Sequence, residues 1–139
     1  MIDIAVEEGT GEVFADAEQV GYVLAELLTN AATAAGNGAR IVMSAEADET
    51  DEKVVIMVKD SGRGMDGETL ARAFVPFFSA QAGGRRRGMG LPMARRYVEN
   101  NGGRMWMCSR VGEGTEAWVE LPAWRGEAVE KEEAGDVGK

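Results

Sequence analysis

Apolar residues in this chain recur at two periods, and the switches between them outline a fold. Residues 2–8 alternate and predict a strand. From residue 16 the period lengthens, and Val20, Val23, Leu24, Leu27, Leu28 and Ala31 fall on one face of a helix. Asp16-x-x-Gln19, a variant of the capping box, opens that helix, and Gly36-Asn37-Gly38 stops it near Ala35. Alternation returns over 40–47 and 53–59, joined by the polar turn 48–52 as a hairpin. A short helix over about 67–73 precedes 74–90, the longest stretch without a period; such segments tend to be lids or binding loops. Pro92 suits the first turn of the next helix, which ends at Asn101-Gly102-Gly103. Two strands, 104–110 and 115–121, complete the pattern. Past Pro122 the chain turns acidic and loses core residues, which predicts a disordered tail over 123–139. The order β-α-ββ-α-loop-α-ββ predicts a single domain, residues 1–122: an α/β two-layer sandwich whose mixed, about five-stranded sheet carries its helices on one face.

Composition narrows the function. A chain of 139 residues with a net charge of −9 disfavours nucleic acid and anionic membrane as partners, since both are polyanions. The acid is unevenly spread: from Thr69 to Tyr97 there are six arginines and no Asp or Glu. The one cysteine, Cys108, excludes an intramolecular disulfide, and its place in an alternating strand predicts buried packing rather than reactivity. No apolar run is long enough to span a bilayer and no signal-peptide pattern is present, so a cytoplasmic domain is expected, with room for tethering to a membrane sensor through an N-terminal part. The chain contains no histidine, which removes imidazole from any mechanism confined to it.

The densest candidate chemistry is Val54 to Gly67. An alternating strand ends at a carboxylate, Asp60, followed by Gly62, Gly64 and Gly67. Glycines let a ligand lie against main chain, and a carboxylate at such a turn can accept hydrogen bonds from an amine or bind a hydroxyl or metal. Gly62-x-Gly64-x-x-Gly67 also fits the dinucleotide-binding pattern, but that pattern wants an acid roughly 20 residues later, and none is there. A glycine turn without a ligand is the plainer alternative. On the first helix Glu26 and Asn30 are four apart and share a face. A glutamate there is ordinarily a solvated surface acid, whereas asparagine suits a helix interior poorly. Such a pair can hold a hydrated magnesium ion and orient a nucleophile. Arg85-Arg86-Arg87 precedes Gly88-Met89-Gly90-Leu91 at a helix start, where free amides and guanidinium groups can bind phosphate. Phe74, Phe77 and Phe78 read as an apolar hinge for that segment.

Taken together these motifs resemble the GHKL ATP-binding superfamily, most closely the catalytic ATP-binding domain of bacterial sensor histidine kinases. ELLTNAATAA (26–35) is similar to the N box, DSGRGMD (60–66) to the G1 box and FVPFF (74–78) to the F box. GMGLPMARRYVENNGG (88–103) is similar to the G2 box and its helix, and GEGTEAWVELP (112–122) to the closing strand. The resemblance implies a Bergerat-type fold with an ATP lid over about 74–90, and ATP and Mg2+ as cofactors. It implies that Asp60 accepts the adenine amino group with support from Thr115, and that Gly62, Gly64 and Met65 border the base. Arg85, Arg86, Arg87, Gly88, Met89, Gly90 and Leu91 would lie along the phosphates. Asn30 would ligate magnesium, with Glu26 acting through water and polarising the nucleophile; many kinases have Asn or His at that position. Arg86 and Arg87 stand where many kinases have Gly and Thr, which implies a lid that grips phosphate with side chains.

The expected function is transfer of the γ-phosphoryl of Mg-ATP to a histidine on a separate dimerisation and phosphoacceptor domain, and indirectly to a response regulator. A nucleotide-gated binding module similar to an anti-sigma-factor kinase is the alternative. ATP hydrolysis of the gyrase or MutL type is disfavoured, because nothing after Pro122 resembles a transducer domain.

Overall fold

The computed structural model of the chain describes residues 2–6, 12–13, 15–36, 38, 40–48, 50, 52–75 and 90–124. The order is β1 (Ile2–Val6), β2 (Glu12–Val13), α1 (Ala17–Ala35), β3 (Ile41–Ala47), β4 (Lys53–Asp60), α2 (Gly67–Arg72), α3 (Gly90–Asn100), β5 (Arg104–Arg110) and β6 (Gly114–Trp124). The sheet runs β1-β3-β4-β6-β2, with β5 also paired to β6. Only β1 and β3 are parallel; the other pairs are antiparallel. The two-layer α/β sandwich with a mixed sheet therefore stands, with one more strand than expected. The extra strand, β2, is two residues long and pairs Glu12 with Trp124 and Val13 with Ala123. It is too short to leave an alternation in the sequence. Of the tail expected over 123–139, Ala123 and Trp124 instead continue β6 and pair with β2; residues 125–139, and residues 76–89 of the lid expected over 74–90, lie outside the described residues.

Period-two alternation builds the core. Val54, Ile56 and Val58 of β4 and Ala117, Val119 and Leu121 of β6 all point to one face and are buried. Val23, Leu27 and Ala31 of α1 and Ala94 and Val98 of α3 close over them. Burying each of the larger side chains contributes about 1.5–3 kcal/mol. The opposite face carries charge, tryptophan and Cys108, which is exposed and not buried as expected, because it shares the alternation of Arg104 and Trp106. Trp106 and Trp118, directly paired across β5 and β6, stack with centroids 6.0 Å apart and planes 2° from parallel. Arg104 lies over Trp106, 4.7 Å from its centroid, and bonds Glu120 at 2.9 Å. Among the described residues no helix is long and apolar enough to cross a membrane.

The two long helices are fastened at one end by a residue remote in sequence. Asp16 caps α1 by accepting from the Gln19 amide at 3.0 Å, one half of the predicted capping box. The other half is supplied by Asn101, just past α3: its Oδ1 accepts from the Asp16 amide at 2.8 Å. Asn101 Nδ2 then donates to Gln19 Oε1 at 2.8 Å and to the Tyr97 carbonyl at 2.7 Å. Tyr22 and Tyr97 meet edge to face beside it, 5.3 Å between centroids. Asn101→Ala removes all three bonds and leaves the Asp16 amide without its partner. It should lower stability by about 1–3 kcal/mol, read as a lower urea midpoint with unchanged denaturant slope. A midpoint like that of the wild type would show that Asn101 does not fasten the helices.

Candidate functional site

Alternation along β4 turns its last residue, Asp60, to the same inner face as Val54, Ile56 and Val58. There Asp60 pairs with Ile41 of β3 and Thr115 of β6. Its side chain is only 5% exposed. Its Oδ1 accepts from the Gly62 amide at 2.8 Å. Burial pushes the carboxyl above its ordinary value of 3.8; the Gly62 and Thr115 amides and the charge of Arg63 oppose that without cancelling it. A strand end thus presents a desolvated acid, with one oxygen held by main chain.

The loop after Asp60 is clamped between two other elements. The Arg63 amide donates to the Ala34 carbonyl at the end of α1, and the Gly112 amide donates to the Arg63 carbonyl at 2.8 Å. A Cβ at Gly62 would overlap the Ala34 carbonyl, and one at Gly64, where φ is +72°, would overlap the Arg110 carbonyl. These glycines are therefore required by close approach of backbone. Ser109, which the sequence did not single out, joins the same clamp. Its Oγ accepts from the Met65 amide at 2.8 Å and lies 2.7 Å from Thr115 Oγ1. Its signal was a hydroxyl in line with Met105 and Met107 on the inward face of β5.

Beneath this loop is a cavity of about 400 Å³, within the range of small-molecule sites. Leu27, Ala31, Val58, Met107 and Ala117 give it apolar walls, and Met65 and Val111 its rim. Val111 is 68% exposed, an apolar side chain at the mouth. Glu26, Asn30, Asp60, Gly64, Met65, Gly90, Leu91 and Thr115, all expected from the sequence, line this one space. Gly62 does not line it and lies in the loop against Ala34. Arg85, Arg86, Arg87, Gly88 and Met89 lie outside the described residues. Glu26 is not the solvated surface acid its position on a helix ordinarily suggests, for it is 9% exposed. Among the described residues the side-chain amide of Asn30 has no hydrogen-bond partner, and Asn30 borders the cavity.

Two alternatives can be weighed on this geometry. In the dinucleotide pattern the pyrophosphate sits on the N-terminus of the helix after the glycines. Here that end of α2 is held by Asp66, which accepts from the Thr69 amide at 2.7 Å. That bond keeps the Asp66 carboxyl below its ordinary range, so a negative charge already stands there. The strands beside β4 are also both antiparallel to it. As for a metal, no cluster of three or more His, Cys, Asp or Glu side chains exists among the described residues. Glu26 and Asn30 offer oxygen donors, which suit a hard cation that draws its remaining ligands from phosphate and water.

Known proteins are similar to this chain in sequence and fold. The profile of the family described as histidine kinase-, DNA gyrase B-, and HSP90-like ATPase matches residues 15–125. The adaptive-response sensory kinase SasA of Parasynechococcus marenigrum (strain WH8102) is 37% identical over 124 residues, covering 86% of this chain and 32% of the relative. The sensor histidine kinase ZraS of Escherichia coli (strain K12) is 35% identical over 111 residues, covering 80% of this chain and 23% of the relative. The chain thus spans about a third or less of these curated relatives. Among solved structures, the catalytic domain of histidine kinase ThkA superposes with a TM-score of 0.72 at 31% identity, covering 87% of this chain and 78% of that one. Full-length ShkA in complex with AMPPNP superposes with a TM-score of 0.76 at 25% identity, covering 88% of this chain and 25% of that one. With that family's profile matching residues 15–125, the chain belongs to the histidine kinase-, DNA gyrase B- and HSP90-like ATPase family.

Proposed function

We propose that the cavity binds Mg-ATP and that the chain passes the γ-phosphoryl to a histidine on a separate dimerisation and phosphoacceptor domain, from which a response regulator would receive it. The observation that carries this is the spacing of polar groups along α1. Asp60 and its loop are fastened to Ala34, and Glu26 lies eight residues earlier, roughly 12 Å along the helix axis. The cavity therefore suits an elongated ligand with a hydrogen-bonding ring at one end and a polyanion at the other. The adenine amino group would donate to Asp60, with Thr115 beside it. Apolar walls from Leu27, Val58, Met107 and Ala117 would cover the ring faces.

At the other end, Asn30 would hold magnesium through its amide oxygen, and Glu26 would act on it through water. The ion, when bound, would neutralise charge developing on the phosphates. Most of the catalysis in such transfer is positioning and charge stabilisation. The acceptor histidine must come from another domain or chain, because this one has none.

Titration calorimetry should show Mg-ATP binding and NADPH ignored. Asp60→Ala should weaken Mg-ATP by roughly 10- to 150-fold, the loss of a hydrogen bond to a charged group. Equal affinity in wild type and variant would remove Asp60 from the adenine site. Given γ-labelled ATP and a histidine-bearing acceptor domain that the wild-type chain labels, Glu26→Ala with Asn30→Ala should lower labelling by at least about 100-fold. Undiminished labelling would sink both role assignments.

The same acid sets a pH dependence of stability. The folded carboxyl of Asp60 titrates above its unfolded counterpart, so between the two values the folded chain holds more protons and stability falls as pH rises. The loss is absent below the ordinary value of 3.8 and complete above the folded one. Asp60→Asn keeps an acceptor for the Gly62 amide without the charge. Its stability relative to wild type should therefore rise as pH is raised above the ordinary carboxyl value of 3.8 in urea titrations. A difference that stays constant with pH would mean that burial does not strain this carboxylate.

A further inference from the structure

The glycines around the cavity differ in what a side chain would meet. At Gly62, Gly64 and Gly114 the obstacle is main chain, namely the carbonyls of Ala34, Arg110 and Asp60. At Gly90 it is the carboxylate of Glu26: the three atoms nearest to a Cβ there are its two oxygens and its carboxyl carbon. Gly90 is the first residue of α3 and does not adopt positive φ. Nothing in the backbone asks for glycine at this point, and alanine is the better helix former.

We infer that Gly90 is a positioning residue for Glu26. Without a side chain it leaves a seat in which the carboxylate rests against the first residue of α3. Two further features define that seat. Glu26 is buried on α1 beside Leu27, so its carboxylate lies inside the molecule against α3 and not in solvent. The seat is also the positive end of the α3 dipole, which favours a carboxylate. Glu26 and Gly90 both line the cavity next to Asn30 and Leu91. A methyl group at residue 90 would turn the carboxylate out of its seat while leaving both helices intact, because the obstacle is the end of a flexible side chain. The consequence for activity rests on the reading that Glu26 acts at the phosphate end. The seat itself does not.

The test uses the full 139-residue chain and the variants Gly90→Ala, Glu26→Asp and their combination. The first readout is the carboxyl-carbon NMR spectrum of the glutamates without ligand, with the Glu26 signal assigned by its loss in Glu26→Gln. In Gly90→Ala the Glu26 signal should move more than that of any other glutamate. A Glu26 signal that stays in place would overturn the assignment. The second readout is calorimetric titration of Mg-ATP. Gly90→Ala should weaken binding by roughly fivefold in the wild-type background but less than about twofold in the Glu26→Asp background, where the shorter side chain leaves room for the methyl. Equal losses in both backgrounds would also overturn it. If Mg-ATP binds none of the proteins, the proposed function fails, and the carbon shift still decides the role of Gly90.

Discussion

The site rests on one costly placement, an aspartate at the inner end of an apolar strand. Val54, Ile56 and Val58 drive β4 into the core, and the same alternation carries Asp60 inward with them. Water is largely removed from its carboxylate, which raises the energy of the charged form. The fold answers part of this with the Gly62 and Thr115 amides and the Arg63 charge. What is left uncompensated is acceptor capacity facing a cavity. The geometry makes that sense if a donor from a ligand completes the set, which is how a polar group buried at some cost to stability becomes a recognition element.

Everything around this acid serves to hold its loop still. The loop is bonded to the last turn of α1 through Ala34, to the β5–β6 turn through Gly112, and to β5 through Ser109. These contacts come from two separate parts of the chain, α1 and the β5–β6 hairpin, so the acid is fixed with respect to α1 as well as to the sheet. Since α1 also carries Glu26 and Asn30, the distance between the two polar ends of the cavity is set by a helix, the stiffest ruler available. The antiparallel packing of α3 on α1 then brings Gly90 to Glu26 at one end of the helix pair and Asn101 to Asp16 at the other.

Much of this was legible in the sequence because it is written in short periods. The strands around Val58 and Val119 and the apolar face of α1 follow from spacing alone. The glycine–carboxylate turn and the Glu26–Asn30 pair stood out as chemistry, and the joint resemblance of five motifs supplied the family. What escaped depends on contacts between distant residues. Glu26 looked like a surface acid because helical spacing places it beside the apolar stripe; its burial comes from α3, which arrives more than sixty residues later. Asn101 looked like part of a helix stop, yet it completes a capping box on another helix. Ser109 was one polar residue in an apolar alternation, and its tie to the Asp60 loop comes from the approach of Met65, more than forty residues earlier. β2 was too short to register at all.

In the proposed function, Asp60 receives the base of a nucleotide whose phosphates extend along α1 toward Glu26. A crystal structure of the chain with magnesium and AMPPNP tests it most directly. The account predicts the adenine amino nitrogen within about 3 Å of an Asp60 carboxylate oxygen, the ring between Met107 and the Gly62–Met65 loop, and the phosphates beside Asn30. A nucleotide bound with its ring away from Asp60, or with its phosphates at the Asp66-capped end of α2, would contradict it.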